Sequence, residues 1–305
     1  MNARAIQMWS ARGAIALVAI GGAVALSGPA LAAPAGLKVL STEMGSIDLL
    51  SCPSTNPIYD NLPVTFNWFI RPASVRPTDF EIVREDGSVA TPVCALMYPP
   101  NEPDERQTIN LIGNFDEGAA DPAVKVRPVQ LRIVGALRGQ PIGATRSRPV
   151  TGLAPLTITD VADPPAIVDA WMLTPLLADL YATDPNRCTV GTAFVRVMWS
   201  NGINAYLSDP SSLPLEVGRS TTLAYRAIFR LPSGRRQSIT PIALGDLLDH
   251  ATNGVPNPAL DDNMHDLCLA SVPKGARLVG VSITKPNLVM KPSKVGNRVQ
   301  KFVVR

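Results

Sequence analysis

The ten residues from Leu260 to Leu269, LDDNMHDLCL, hold three aspartates, one of the chain's two histidines and one of its four cysteines. Taken with the residues upstream, the segment gathers Asp246, Asp249, His250, Asp261, Asp262, His265 and Asp266 into 21 positions, with no lysine or arginine among them. Carboxylate oxygens in that number suit Ca²⁺, which takes about six to eight oxygen ligands. Two imidazoles with a carboxylate suit zinc or iron. The spacing selects neither. There is no D-x-[DN]-x-[DN]-G loop and no H-E-x-x-H, and His250 and His265 lie either side of a Gly/Pro/Asn-rich stretch that leaves their geometry free. The same composition describes a solvated polar loop returning to a strand at Leu267, with Cys268 tying it down. That plain loop is the reading adopted. The alternative is a metal-dependent hydrolase or a Ca²⁺-binding module built on these seven residues.

Other reactive centres are harder to find. No G-x-S-x-G nucleophile elbow occurs, and the S-x-x-K matches at Ser271–Lys274 and Ser282–Lys285 lack the S-D-N and K-T-G that accompany them in β-lactamase-type sites. Glycosidase chemistry needs only paired carboxylates and no local motif, but aromatic residues make up 5% of the chain, thin for a sugar-stacking cleft. Asp60-Asn61 and the run Asn101 to Arg106 form polar regions in the first half, and turn chemistry accounts for them. No catalytic or cofactor-binding residue is assigned, and the chain reads as a non-enzyme.

The amino-terminal residues read as an address. Arg4 and Arg12 precede an uncharged apolar run from Ala14 to Leu26, which ends at Pro29-Ala30-Leu31-Ala32. Ala30 and Ala32 make the small-x-small pattern of a signal-peptidase site. Residues 1–32 are therefore expected to be a cleaved signal peptide, with a secreted or periplasmic product that carries no transmembrane segment. Removing the two signal arginines leaves 26 Lys+Arg against 25 Asp+Glu, a balance that gives no reason to expect a nucleic-acid partner. Leu267 to Arg305 carries eight basic residues and no acid. Such a face could meet an envelope glycan or anionic lipid, or simply offset the acid-rich stretch at 79–121.

Four cysteines in an exported chain read as two disulfides. Three pairings exist; Cys52–Cys94 with Cys188–Cys268 is preferred because each bond then stays inside one domain. The 29 prolines are spread along the chain, and short β-branched runs lie between them. That pattern predicts an all-β fold with many turns. Val64, Phe66, Trp68 and Ile70 alternate along one expected strand. Phe80 to Val93 holds an Asp86-Gly87 hairpin signal. Weak helical signals cover Pro164–Ala182 and Ala243–Ala251. Trp68 and Trp199 fall on strand-periodic faces and read as core, while Trp171 is the aromatic to check for exposure.

The order of features repeats. A cysteine (Cys52, Cys188) is followed by a tryptophan-bearing strand (Trp68, Trp199). A strand then enters a glycine turn (Gly87, Gly234) and exits into Thr-Pro (Thr91-Pro92, Thr240-Pro241). This predicts a duplication, with domains at 33–155 and 165–305 joined by a Pro-rich linker.

The stretch from Leu62 to Pro92 resembles bacterial Ig-like modules of secreted and cell-surface proteins. The resemblance covers residues 62–135 and rests on Val64, Phe66, Pro72, Ala73, Val75, Asp79, Phe80, Asp86 and Gly87. Ile70-Arg71-Pro72 departs from the Ser-Glu-Pro usual there, and the cysteines are not general to those modules. The resemblance implies two tandem Ig-like antiparallel β-sandwich domains after the signal peptide. It implies a spacer or binding role toward an unidentified protein or envelope glycan, and it carries no catalytic residue across. Export fixes one expected outcome: amino-terminal sequencing of the mature product begins at Ala33.

Overall fold

The β-branched and aromatic runs form strands throughout the computed structural model, which describes residues 36–46, 52, 60–97, 105–116, 126–159, 166–173, 187–200, 224–245, 263–284 and 300–304. Among them no helix is long and apolar enough to cross a membrane. The all-β expectation holds. The first half builds β1 (Val39–Thr42), β2 (Gly45–Ser46), β3 (Asp60–Phe66), β4 (Trp68–Ile70), β5 (Phe80–Arg84) and β6 (Val89–Ala90), then β7 (Cys94–Leu96), β8 (Thr108–Gly113), β9 (Pro128–Ile133), β10 (Arg138–Pro141), β11 (Arg148–Pro149) and β12 (Leu156–Thr157). The second half builds β13 (Ile167–Met172), β14 (Ala193–Trp199), β15 (Tyr225–Arg230), β16 (Arg236–Ile239), β17 (Ala243–Gly245), β18 (Met264–Leu269), β19 (Arg277–Ile283) and β20 (Gln300–Val303).

The halves share a strand order. A sheet β1-β3-β8-β7 faces a sheet β12-β9-β5-β6 in the first, and β13-β14-β18-β17 faces β20-β19-β15-β16 in the second. Every pairing within these sheets is antiparallel. Strand side chains alternate between faces, so each strand gives every second residue to the core. Leu62, Val64 and Phe66 of β3 meet Ile109 and Leu111 of β8 and Phe80 and Ile82 of β5. Val195, Val197 and Trp199 of β14 meet Leu267 and Leu269 of β18 and Tyr225, Ala227 and Phe229 of β15.

The two hairpins that marked the repeat are built alike. Gly87 donates to the Arg84 carbonyl at 3.0 Å and Arg84 to the Ser88 carbonyl at 2.9 Å; Gly234 donates to Leu231 and Leu231 to Arg235, both at 2.8 Å. Both glycines hold φ near +80° (82° and 83°), a left-handed conformation in which a Cβ is strained. The Thr-Pro that follows each hairpin ends the ladder, and the chain crosses to the opposite sheet. There Val93 donates to Ile112 at 2.7 Å and Ile242 to Cys268 at 2.8 Å.

Four local expectations are corrected. The run Val64 to Ile70 is two strands, because the chain leaves one sheet at Asn67 and enters the sheet β11-β10-β4. Asn67 holds that crossing by accepting from the Lys38 amide at 2.7 Å and donating to the Gly36 carbonyl at 2.8 Å. Trp199 consequently corresponds to Phe66 and not to Trp68, since both end their strand over the core. Where Pro164–Ala182 suggested helix, Ile167–Met172 is strand β13. A bulge between Ile167 and Asp169 turns both Ile167 and Ala170 into the core, so a spacing of three arises without a helix. Ala243–Gly245 is likewise strand, the edge strand β17, rather than the start of a helix.

Both disulfides form as expected, Cys52–Cys94 and Cys188–Cys268. They are not the same bond twice. Cys94 lies opposite Ile112, and Ala243 lies opposite Cys268. Ala243 therefore occupies the Cys94 position and Cys268 the Ile112 position, so one staple ends on the edge strand and the other on the strand inside it. Peptide mapping without reduction is expected to return these two pairs. Replacing Cys188 and Cys268 together by alanine is expected to cost about 3–5 kcal/mol in urea melts.

Candidate functional site

Of the seven acidic-segment residues, Asp246, Asp249, His250, Asp261 and Asp262 lie outside the described residues. His265 and Asp266 are neighbours on β18, where adjacent side chains leave opposite faces of the sheet. The strand therefore separates them, and they cannot share one ion from adjacent positions.

His265 points inward and is fully buried. Its Nδ1 lies 2.9 Å from the Tyr225 hydroxyl on the facing sheet. Its ring meets Trp199 and Tyr225 edge-on, with centroids 6.4 Å and 6.1 Å apart. Burial holds the Tyr225 hydroxyl far above the usual phenol range, because the phenolate would lose its water. This cluster ties β18 to β15 through the middle of the second sandwich.

Asp266 points the other way. Register places it directly opposite Arg196 of β14, and the two meet as a fork: Nε to Oδ1 at 2.8 Å and Nη2 to Oδ2 at 2.9 Å. The third guanidinium nitrogen, Nη1, reaches Oε1 of Glu105 in the first sandwich at 3.0 Å. Arg196, Asp266 and Glu105 are all fully buried. A buried charge needs a partner of opposite sign; the Arg196 guanidinium is hydrogen-bonded to Asp266 and ion-paired with Glu105. One arginine thus joins two strands of one sandwich and a residue of the other.

The same junction carries smaller polar links. Asn263 donates to the Trp199 carbonyl at 3.0 Å and to the Thr108 hydroxyl at 3.1 Å. The Ser41 hydroxyl donates to the Ser200 carbonyl at 3.0 Å. Phe69 and Ile142 of the first sandwich pack against Leu173, Phe194 and the Cys188–Cys268 disulfide of the second. The outer face of β14–β18 is therefore a second buried layer, and residues 34–305 make one compact unit.

Both oxygens of Asp266 accept from Arg196, and no three His, Cys, Asp or Glu side chains converge as metal ligands do among the described residues. Trp199 is core, Trp68 is buried and Trp171 is half-buried on β13. Sequence reasoning missed Arg196, Glu105, Tyr225 and Asn263. One signal was present: AFVRVMW places an arginine inside a strand apolar on both faces, and such a charge demands a buried partner. Comparison with family models, curated proteins and solved structures finds no match to this chain.

Arg196→Ala leaves two carboxylates buried without their cation and is expected to cost about 3–5 kcal/mol. Replacing Arg196, Asp266 and Glu105 together by Met, Leu and Leu is expected to recover most of that in the same melts. Tyr225 gives a pH signature. Below the ordinary tyrosine value of 10.0 both folded and unfolded chains keep the phenol neutral; above it only the unfolded chain ionises, so stability falls as pH rises past that value. Absorbance titration should find at least one of the five tyrosines un-ionised until the chain unfolds, and Tyr225→Phe should flatten the alkaline loss.

Proposed function

We propose that this chain is an exported, non-catalytic binding or structural protein of the cell envelope, made of two Ig-like sandwiches held as a rigid tandem. The observation that carries the reading is one disulfide in each sandwich. Such bonds persist in oxidising compartments outside the cytoplasm, in keeping with the signal-like amino terminus. The Ig-like part is supported by strand order. With β1, β3, β7 and β8 as A, B, D and E, and β5, β6, β9 and β12 as C, C′, F and G, the sheets read ABED against GFCC′, an immunoglobulin arrangement with one added strand. Its non-catalytic part is supported by the commitment of His265 and Asp266 to internal bonds.

The partner on this reading is an envelope glycan or another protein, met by loops and edges of a stiff scaffold. Expression with the native amino terminus, followed by cell fractionation, provides the test. The expected product is a shortened, fully oxidised chain in the periplasm or medium. A full-length chain with four free thiols in the cytoplasm would overturn the reading. Metal analysis of that product, with melting curves taken with and without chelator, checks the alternative. A stoichiometric ion that raises the melting temperature would favour the metal-binding reading of residues 246–266.

A further inference from the structure

Away from the acidic segment, the first sandwich carries an open cavity of about 500 Å³ beside the sheet β11-β10-β4. That volume falls in the range of about 300–1,000 Å³ typical of small-molecule sites. Its polar lining is Arg71, Arg106, Gln140, Thr145 and Ser147, with Phe69 behind them. Among the described residues no aspartate or glutamate lines it.

The backbone brings these residues together from three separate segments. Arg71 follows β4 and opens the 3-10 turn Pro72–Ser74. Its amide donates to the Arg138 carbonyl of β10 at 2.8 Å, and the Ile70 amide donates to the Arg106 carbonyl at 2.5 Å. Gln140 lies on β10, and its amide nitrogen donates to the Ala144 carbonyl at 3.2 Å, which shapes the turn that presents Thr145 and Ser147. Arg138 steadies that turn from behind through Nη2 to the Ser147 carbonyl at 3.2 Å and Nε to its hydroxyl oxygen at 3.4 Å. The Ser147 hydroxyl therefore accepts from Arg138 and keeps its own proton to donate.

Charge decides what such a cavity takes. Glu105, next to Arg106 in the chain, is withdrawn into the buried pair with Arg196. Neither Arg71 nor Arg106 forms an ion pair with a described residue. Two arginines thus line one cavity with no counter-charge among the described residues, and Arg146 and Arg148 flank Ser147 in the chain. Guanidinium groups recognise phosphate and carboxylate through paired hydrogen bonds. The neighbouring hydroxyls and amide suit a polar, hydroxylated body attached to that anion.

We propose that this cavity binds the oxyanion group, phosphate or carboxylate, of a saccharide-sized molecule. Arg71 and Arg106 hold the anion, and Gln140, Thr145 and Ser147 contact the remainder. The inference rests on the reading of the chain as a binding module and gives that module a ligand class and a site. Calorimetric titration of the mature, oxidised protein in low-salt, phosphate-free buffer tests it, with inorganic phosphate, glucose 6-phosphate, glucuronate and glucose as probes. A phosphate probe, the carboxylate probe or both are expected to bind, and which of them binds identifies the source of the anion. Arg71→Gln combined with Arg106→Gln is expected to weaken that binding at least tenfold while melting temperature and disulfide content stay unchanged. High salt should weaken it in the parent chain. No binding of any anionic probe at millimolar concentration, unchanged affinity in the double variant, or equal affinity for glucose would each overturn the proposal. Those failures leave the fractionation result untouched, so loss of this site and loss of the exported-module reading are told apart.

Discussion

The charge on Arg196 is the constraint around which the molecule is arranged. A guanidinium with no access to water needs carboxylates at hydrogen-bonding distance, and it takes one from each sandwich: Asp266 across the β14–β18 ladder and Glu105 from the first sandwich. With both sandwiches in place, losing the Arg196 side chain would leave two carboxylates buried without their cation. The pairing also fixes position, because a planar fork accepts its partners in few orientations. Around it the Asn263–Thr108 bonds and the Phe69–disulfide contact fill the same layer. The two sandwiches keep separate cores but share a buried layer between them, where tandem domains often meet through a looser, more polar contact.

The duplication shows how one scaffold carries two kinds of filling. Both halves repeat the strand order, the three-residue hairpin loop with its left-handed glycine and the Thr-Pro crossing. At equivalent register the residues diverge. The cross-strand pair Arg196 and Asp266 stands where the first sandwich has Pro63 and Asn110, and His265 stands where it has Ile109. The other inward positions stay apolar, with His265 partnered by the Tyr225 hydroxyl, and the outward positions differ because one of the sheets must bury an ion pair on its outer face. The disulfides follow the same rule: each closes its own sandwich, but from a different strand.

The acidic segment is the clearest case of composition suggesting chemistry that local geometry redistributes. Asp266 and His265 are adjacent in sequence, and the pleat sends one to the junction between sandwiches and the other to the core. The residues carrying the resemblance to Ig-like modules are also architectural. Asp79 accepts from the Arg76 amide at 3.0 Å and the Ala136 amide at 3.2 Å, tying the turn before β5 to the loop after β9. Gly135 is required beside it, since a Cβ there would fall 1.8 Å from the Asp79 carboxylate.

Sequence alone determined the features set by local physics. The alternation of apolar residues gave the all-β class and the longer core strands, the Gly87 and Gly234 turns gave the two hairpins, and the order of cysteine, hairpin and Thr-Pro gave the repeat, within which each disulfide stays inside one half. Where a strand ladder broke, sequence misled. The bulge in β13 copied helical spacing, and the sheet change at Asn67 hid inside an alternation that runs on from Val64 to Ile70. Only tertiary structure decided what the charged residues do. Arg196 and Glu105 are 91 positions apart and Arg196 and Asp266 70, so no local pattern records their meeting. The cavity bordered by Arg71 and Arg106 exists for the same reason. Strand propensity and turns act over a few residues, whereas the pairing of buried charge and the enclosure of a cavity depend on which surfaces the folded sheets bring face to face.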